Sequence, residues 1–273
     1  MAPLYESMAT CFPRDPRTEG WVLGGNKQFL TVLQCAYVYV AKIGGPRFMK
    51  RRKPFDNIKP PIMIYDASMT ALNCYFVVAF LSRTYLGGGY SLLCQGIDFG
   101  ARYEMTMSLL SLAWWYLWVR IADFLDTIFF VLRKKDSHVS FLHVVHHVLV
   151  VFEGWFGLAC GADGHVMFDI VPNSLVHVIM YSYYFLSLLG PSVQKDFWWK
   201  RYLTQIQMAQ FVVMMTFHML LPLFINCGYP KAQALSWISI VILFLVLFRI
   251  FYTNTYNRAK TTAAQKCTER KSR

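Results

Sequence analysis

The chain has 273 residues, of which 56% are hydrophobic, 17% aromatic and only 15% charged. That composition excludes an ordinary soluble domain and points to a polytopic membrane protein. The net charge of +12 would suit nucleic acid, but the basic residues sit between apolar stretches, where membrane topology accounts for them.

Residues 1–27 contain Pro3, Pro13, Arg14, Asp15, Pro16 and Glu19 and no apolar run that would serve as the core of a signal peptide. Seven stretches long enough to span a bilayer then follow, at 28–44, 62–84, 106–132, 138–158, 165–188, 203–225 and 234–254. Gln28, Gln34 and Lys42 weaken the first of them. The connections are short. The predicted fold is therefore a single all-α domain over 1–273, with seven transmembrane helices bundled together, an N-terminal segment 1–27 and a basic tail 256–273.

Charge sets the orientation. The segments after spans one, three, five and seven carry eighteen Lys and Arg residues, in Arg47 to Lys59, Arg133 to Lys135, Lys195 to Arg201 and Arg258 to Arg273. The opposite set carries six: Arg14, Arg17, Lys27, Arg83, Arg102 and Lys231. The positive-inside rule then places the N-terminus in the lumen or exterior and the C-terminus in the cytosol.

Ionisable residues inside the spans mark candidate chemistry. In span three, Arg120 and Asp123 are spaced for an internal ion pair, and Asp123 and Thr127 share a helical face. Asp126 points aside, and its carboxylate could orient an imidazole and fix its tautomer. Span four holds His143, His146 and His147, at i, i+3 and i+4, so the three rings share one face. His146 would lie roughly 12 Å from the cytosolic end of its span. An imidazole there can be acid, base, nucleophile or metal ligand. In span five, Asn173, His177 and Tyr181 form a stripe, and a buried Asn and His each need a partner. Gln207 and Gln210 repeat the pattern in span six, where interhelical hydrogen bonding is the plainer reading. His218 reads as structural, and His138 and His165, at span ends, as solvated. These polar stripes fall in the cytosolic or middle parts of their spans and the lumenal halves read as apolar. The pattern is that of a reaction chamber open to the cytosol with an apolar tunnel beyond it.

These residues carry a resemblance. His143 to His147 is similar to the H-x-x-H-H box of the very-long-chain fatty-acid elongases, in the setting Val139-Ser140-Phe141-Leu142. Arg120 to Thr127 resembles the family's K-x-x-E-x-x-D-T, Asn173 to Tyr181 its N-S-x-V-H-x-x-M-Y, and Thr204 to Phe211 its T-x-x-Q-x-x-Q-F. Gly45 to Met49 and Lys53 to Phe55 resemble its first cytosolic loop, so the likeness covers roughly residues 45–255. Arg120 stands where the family has lysine and Asp123 where it has glutamate; both keep charge, but arginine cannot give up its proton.

The resemblance implies an enzyme of the endoplasmic reticulum membrane that joins malonyl-CoA to a long-chain acyl-CoA. Carbon dioxide is lost and a 3-ketoacyl-CoA two carbons longer is formed, with no bound cofactor and no metal. It implies His146 as nucleophile, holding the acyl group as an acyl-imidazole, with His143 and His147 orienting or deprotonating it. His177 and Asn173 would face it and stabilise the enolate. Asp126 would steer a histidine, and Arg120, Asp123, Tyr181, Gln207 and Gln210 would border the substrate. Lys134 and Lys135 could meet CoA phosphates or, equally, acidic lipid head groups. The implied partners are membrane lipids, the ketoacyl-CoA reductase and other enzymes of the elongation cycle, and a second copy in a homodimer; no nucleic acid is implied. Arg270 and Lys271 stand where a dilysine retrieval signal would, or belong to an ordinary positive-inside tail.

Two rival readings remain at this stage. A di-iron desaturase or hydroxylase also uses H-x-x-H-H boxes, but needs about eight ligands with H-x-x-x-H spacing in further boxes, and this chain has seven histidines in all and no such pair apart from His143 and His147 of the one box. A seven-span receptor or lipid transporter would sooner open outward. In elongase-like bundles the connections holding Cys94 and Cys227 lie at the closed lumenal end, so the resemblance suggests a Cys94–Cys227 bridge there, with Cys160 as a competing partner.

Overall fold

The computed structural model describes residues 12–24, 26–190 and 200–257. Among the described residues the regular elements are helices, in the order α1 (Lys27–Tyr39), α2 (Gly45–Met49), α3 (Lys59–Arg83), α4 (Glu104–Ala122), α5 (Phe124–Leu132), α6 (Phe141–Cys160), α7 (Met167–Leu188), α8 (Lys200–Val213), α9 (Leu221–Phe224) and α10 (Lys231–Tyr252). Single π-type turns link α1 to α2 (Val40–Gly44) and α8 to α9 (Met214–Met219). The basic tail from 258 onward and His218's side chain lie outside the described residues.

Local sequence explains the ends. Asn26 caps α1, its side chain accepting from the Phe29 amide at 3.0 Å. Pro60 and Pro61 occupy the first turn of α3, where a missing N–H costs nothing. Ser140 caps α6 by accepting from the amide of His143 at 3.1 Å, so the cap belongs to the same turn as the histidine box. Gly161, at φ +100°, turns the chain out of α6. Span three is not one helix: it breaks at Asp123, between α4 and α5. The Ala122 carbonyl next to the break accepts from the Tyr65 hydroxyl at 3.2 Å. Pro172 lies inside α7, one residue before Asn173, and removes a helical hydrogen bond there.

Four helical segments are long and apolar enough to cross a membrane: Lys59–Arg83, Phe141–Cys160, Arg201–Phe224 and Lys231–Tyr256. The protein is thus a polytopic helical membrane protein. The other three predicted spans also form helices. The first is short before its π turn, the third is broken at Asp123, and the fifth carries Asp169, Asn173 and His177. Large apolar side chains such as Ile64, Val78 and Val246 are exposed on the outside of the bundle, as lipid contact requires.

Inside, α3 lies along α7, α4 packs on α6, and α8 packs on α10. One apolar cluster joins α3, α4 and α7 around Phe76, Phe80 and Leu110. A second joins α1, α4, α5 and α6 around Tyr37, Leu117 and Val144. A third joins α8 and α10 around Phe211 and Phe244.

One end of the bundle is tied shut. Cys94 and Cys227 form a disulfide, with Cα atoms 5.9 Å apart, and Cys160 is a free, buried thiol. A Cβ on Gly96 would fall 2.1 Å from the Cys227 carbonyl oxygen, so only glycine allows this approach. The segment 12–24, about which the sequence said little, seals the same end. Arg17 is buried and donates to Asp15, to Asp163 at 2.8 and 2.7 Å and to the Asp98 carbonyl at 2.8 Å. Burial alone would lower the pKa of this guanidinium, but its hydrogen bonds to Asp15 and Asp163 and their charges hold it above its ordinary value. His165, expected to be solvated, is 1% exposed, and its Nδ1 accepts from the Gln95 amide at 3.3 Å. The turn after α6 folds inward under the 94–101 segment, a tertiary contact that hydropathy does not reveal.

Candidate active site

The site is built where α3, α4, α5, α6 and α7 meet. Its centre is Arg120, whose side chain is wholly buried at the end of α4. Arg120 Nη2 donates to Asn73 Oδ1 at 2.9 Å. Arg120 Nη1 faces the edge of the His177 ring, 2.7 Å from Nδ1 and 2.9 Å from Nε2, and reaches Asn173 Oδ1 at 3.5 Å. The expected ion pair is present, with Nη1 3.2 Å from Asp123 Oδ2. The guanidinium also lies over the ring of Tyr116, whose hydroxyl donates to Asn173 Oδ1 at 2.6 Å. A buried cation survives only when it is paired and hydrogen-bonded on several sides, as here.

The break at Asp123 sends the next two acidic and polar positions in different directions. Tyr181 is fully buried, and its hydroxyl donates to Asp123 Oδ1 at 2.8 Å and to Asp126 Oδ2 at 2.7 Å. The expected contact of Asp126 with an imidazole is therefore corrected: its partner is a tyrosine. Asp123 is the carboxylate near an imidazole, 3.9 Å from His177 Nδ1. Thr127, expected to share a face with Asp123, turns instead to the histidine box. Its Oγ1 is 2.8 Å from His143 Nε2 and 2.9 Å from the Tyr37 hydroxyl, a chain running from α1 through α5 to α6.

His147 is in ring contact with both other histidines of the box. The ring centres of His143 and His147 are 4.3 Å apart, and those of His146 and His147 are 5.8 Å apart and nearly perpendicular. Only His146 of the three borders the cavity of about 90 Å³ that lies between α6, α7, α8 and α10. Phe244 packs on its ring at 5.1 Å. Asn173 and Tyr116 border the same cavity from α7 and α4. The structure thus brings His146 and Asn173 to one space and links Asn173 to Arg120, His177 and Asp123 behind it.

The remaining expected residues stand further out. Gln207 Nε2 reaches the Met180 sulfur at 3.9 Å and Gln210 Nε2 the Met214 sulfur at 3.2 Å, while Phe211 faces the cavity. Lys134 and Lys135 are exposed in the α5–α6 turn.

Sequence reasoning missed Tyr37, Asn73, Tyr65 and Tyr116, which satisfy the named residues from other helices. Asn73 was visible as a polar residue inside an apolar span, one turn beyond Met69 on the face of α3 that is buried. It also missed Glu153 and Asp169, which border the cavity on the side away from the histidine-bearing end of α6. The expectation that this half of the bundle is apolar is therefore corrected.

The motif likeness extends to whole proteins. The ELO: GNS1/SUR4 family matches residues 22–264. The chain is 39% identical over 252 residues to a very long chain fatty acid elongase of Aedes aegypti, covering 92% of this chain and 69% of that one. It is 40% identical over 222 residues to mouse very long chain fatty acid elongase 4, covering 81% and 70%. It is 36% identical over 249 residues to human very long chain fatty acid elongase 1, covering 90% and 88%. With a match over most of its length, the chain belongs to the ELO (GNS1/SUR4) family of very-long-chain fatty acid elongases, which carry out the condensing step of elongation.

Proposed function

We propose that this elongase condenses acyl-CoA with malonyl-CoA through an acyl-imidazole on His146. The observation that carries the reading is that His146, alone of the box, borders the cavity it shares with Asn173. An unprotonated ring nitrogen of His146 attacks the thioester carbonyl. The C–S bond breaks, CoA leaves as thiolate, and the proton on the other ring nitrogen departs. His147, in ring contact with both neighbours, and His143, fixed by Thr127, hold the tautomer and take up that proton.

Malonyl-CoA then loses carbon dioxide, and the electron pair of the broken C–C bond becomes a thioester enolate. Its carbon attacks the acyl carbonyl, the acyl–nitrogen bond breaks, His146 leaves as its ring recovers the proton held by the other box histidines, and 3-ketoacyl-CoA is formed. Asn173 borders the cavity, and Arg120 supplies a fixed positive charge behind it to offset the enolate oxygen. Arginine suits this role, since a fixed cation need not release a proton. His177 lies against Arg120 and serves the same half-reaction. Tyr181, Asp123 and Asp126 form a buried frame that fixes Arg120 rather than touching substrate.

The chain crosses the endoplasmic reticulum membrane seven times in this reading, with the Cys94–Cys227 end in the lumen and Lys134 and Lys135 in the cytosol, where they meet CoA phosphates. The acyl chain runs from His146 into the cavity toward the disulfide end. The test is a radiolabelled malonyl-CoA assay on purified protein with wild type, His146→Ala and Asn173→Ala. Loss of product in both variants, with acyl-enzyme still formed by Asn173→Ala, supports the assignment. Product from His146→Ala at a wild-type rate would overturn it.

A further inference from the structure

Two carboxyl groups that the condensation chemistry does not use border the same cavity. Asp169 lies one turn, about 6 Å, from Asn173 along α7, and Glu153 lies two turns, about 11 Å, from His146 along α6. Asp169 is 9% exposed, and its Oδ1 is fully buried with no hydrogen-bond partner among the described residues. Val150, Ile170 and Phe244 form apolar wall around them. A purely hydrocarbon lining would be the simplest seat for a saturated acyl chain. A buried carboxyl oxygen left without a partner penalises any ligand that cannot supply one.

We propose that Asp169 and Glu153 seat a hydroxyl group carried on the acyl chain, so that the preferred primers are mid-chain hydroxylated fatty acyl-CoAs. The proposal rests on the reading that His146 holds the acyl group and that its chain enters this cavity. A hydroxyl both donates and accepts, which matches what carboxyl groups offer; an alkyl or alkenyl segment offers neither. A charged substituent would have to shed its hydration to reach this depth, a larger cost than a hydroxyl bears. The offset of about 11 Å between His146 and Glu153 places the hydroxyl roughly eight or nine carbons from the thioester of an extended chain. The cavity has room for about three waters. Water is thus the competing occupant, and it would give no preference for a hydroxylated chain.

The experiment uses the purified full chain with malonyl-CoA and sixteen-carbon acyl-CoAs that are unsubstituted or hydroxylated at C2, C8 or C16. The expected result is a kcat/KM for the C8-hydroxylated primer at least about tenfold above the unsubstituted one, with no such gain at C2 or C16. Asp169→Leu and Glu153→Leu reverse that preference by raising turnover of the unsubstituted primer and lowering that of the C8-hydroxylated one. The isosteric Asp169→Asn and Glu153→Gln keep it, which separates hydrogen bonding from charge and guards against variants that fail to fold. Equal turnover of all primers by wild type, or an equal fall on every primer in the variants, would overturn the proposal. Turnover of the unsubstituted primer with no hydroxyl preference would sink the hydroxyl seat alone. Failure of wild type to extend any primer would instead strike the condensation reading on which it rests.

Discussion

Nη1 of Arg120 lies 2.7 Å from Nδ1 of His177 and, on its other side, 3.2 Å from Oδ2 of Asp123. One guanidinium nitrogen therefore joins α4, the helix break and α7. A guanidinium only donates, so the His177 nitrogen that receives it is an unprotonated one. This arrangement makes Arg120 the fixed point of the site.

Removing that point should cost stability as well as activity. Arg120→Ala leaves Asp123 buried beside no cation and should destabilise the protein by about 3–5 kcal/mol. Arg120→Lys restores the charge but not the fork that reaches Asn73 and His177 together. It should recover most of the Tm while kcat remains low. Thermal melts in detergent alongside the malonyl-CoA assay separate the two effects, and a full recovery of kcat by lysine would contradict the geometric role.

Tyr181 should act through Asp123 and Asp126. Tyr181→Phe deletes the hydroxyl that donates to both carboxyls and should cost about 1–3 kcal/mol. Because Tyr181 is buried behind the site, kcat should fall with little change in KM for either CoA substrate. A rise in KM with unchanged kcat would place Tyr181 against substrate instead.

The Tyr37–Thr127–His143 chain anchors the His143 ring at Nε2. Thr127→Val removes the link while keeping the shape, and should lower kcat about tenfold or more. Thr127→Ser retains the hydroxyl and should restore activity. Equal activity of the valine and serine variants would remove His143 from the proton pathway.

The Cys94–Cys227 bridge closes a long loop at the sealed end of the bundle. Cys94→Ser or reduction should lower stability by about 2–4 kcal/mol. Peptide mapping without reductant, after a thiol block, should return the linked pair and a free Cys160. Recovery of free Cys94 and Cys227 would dispose of the staple.

Much of this was legible in the sequence because it is local. The i, i+3, i+4 spacing fixes the common face of His143, His146 and His147. Arg120 and Asp123 sit at ion-pair spacing, and they do pair. What was not legible depends on contacts between distant helices. Nothing in the spacing of Asp126 tells that Tyr181, on α7, claims it before an imidazole can. The break at Asp123 reads as continuous helix by hydropathy, yet it is what turns Thr127 toward His143. Arg17 read as an ordinary lumenal charge, because its burial exists only once Asp163 and the Asp98 carbonyl are brought over it. Glu153 and Asp169 were hidden by their apolar neighbours and show their meaning only as two walls of one cavity.

The most direct test of the account is the mass of the intact protein after incubation with long-chain acyl-CoA and no malonyl-CoA. Wild type should gain the mass of one acyl group, lost again when malonyl-CoA is added and 3-ketoacyl-CoA appears. His146→Ala should show no adduct, while His143→Ala and His177→Ala should retain some. An acyl adduct on His146→Ala that malonyl-CoA discharges, or wild-type turnover by a protein that never carries the adduct, would contradict the central claim.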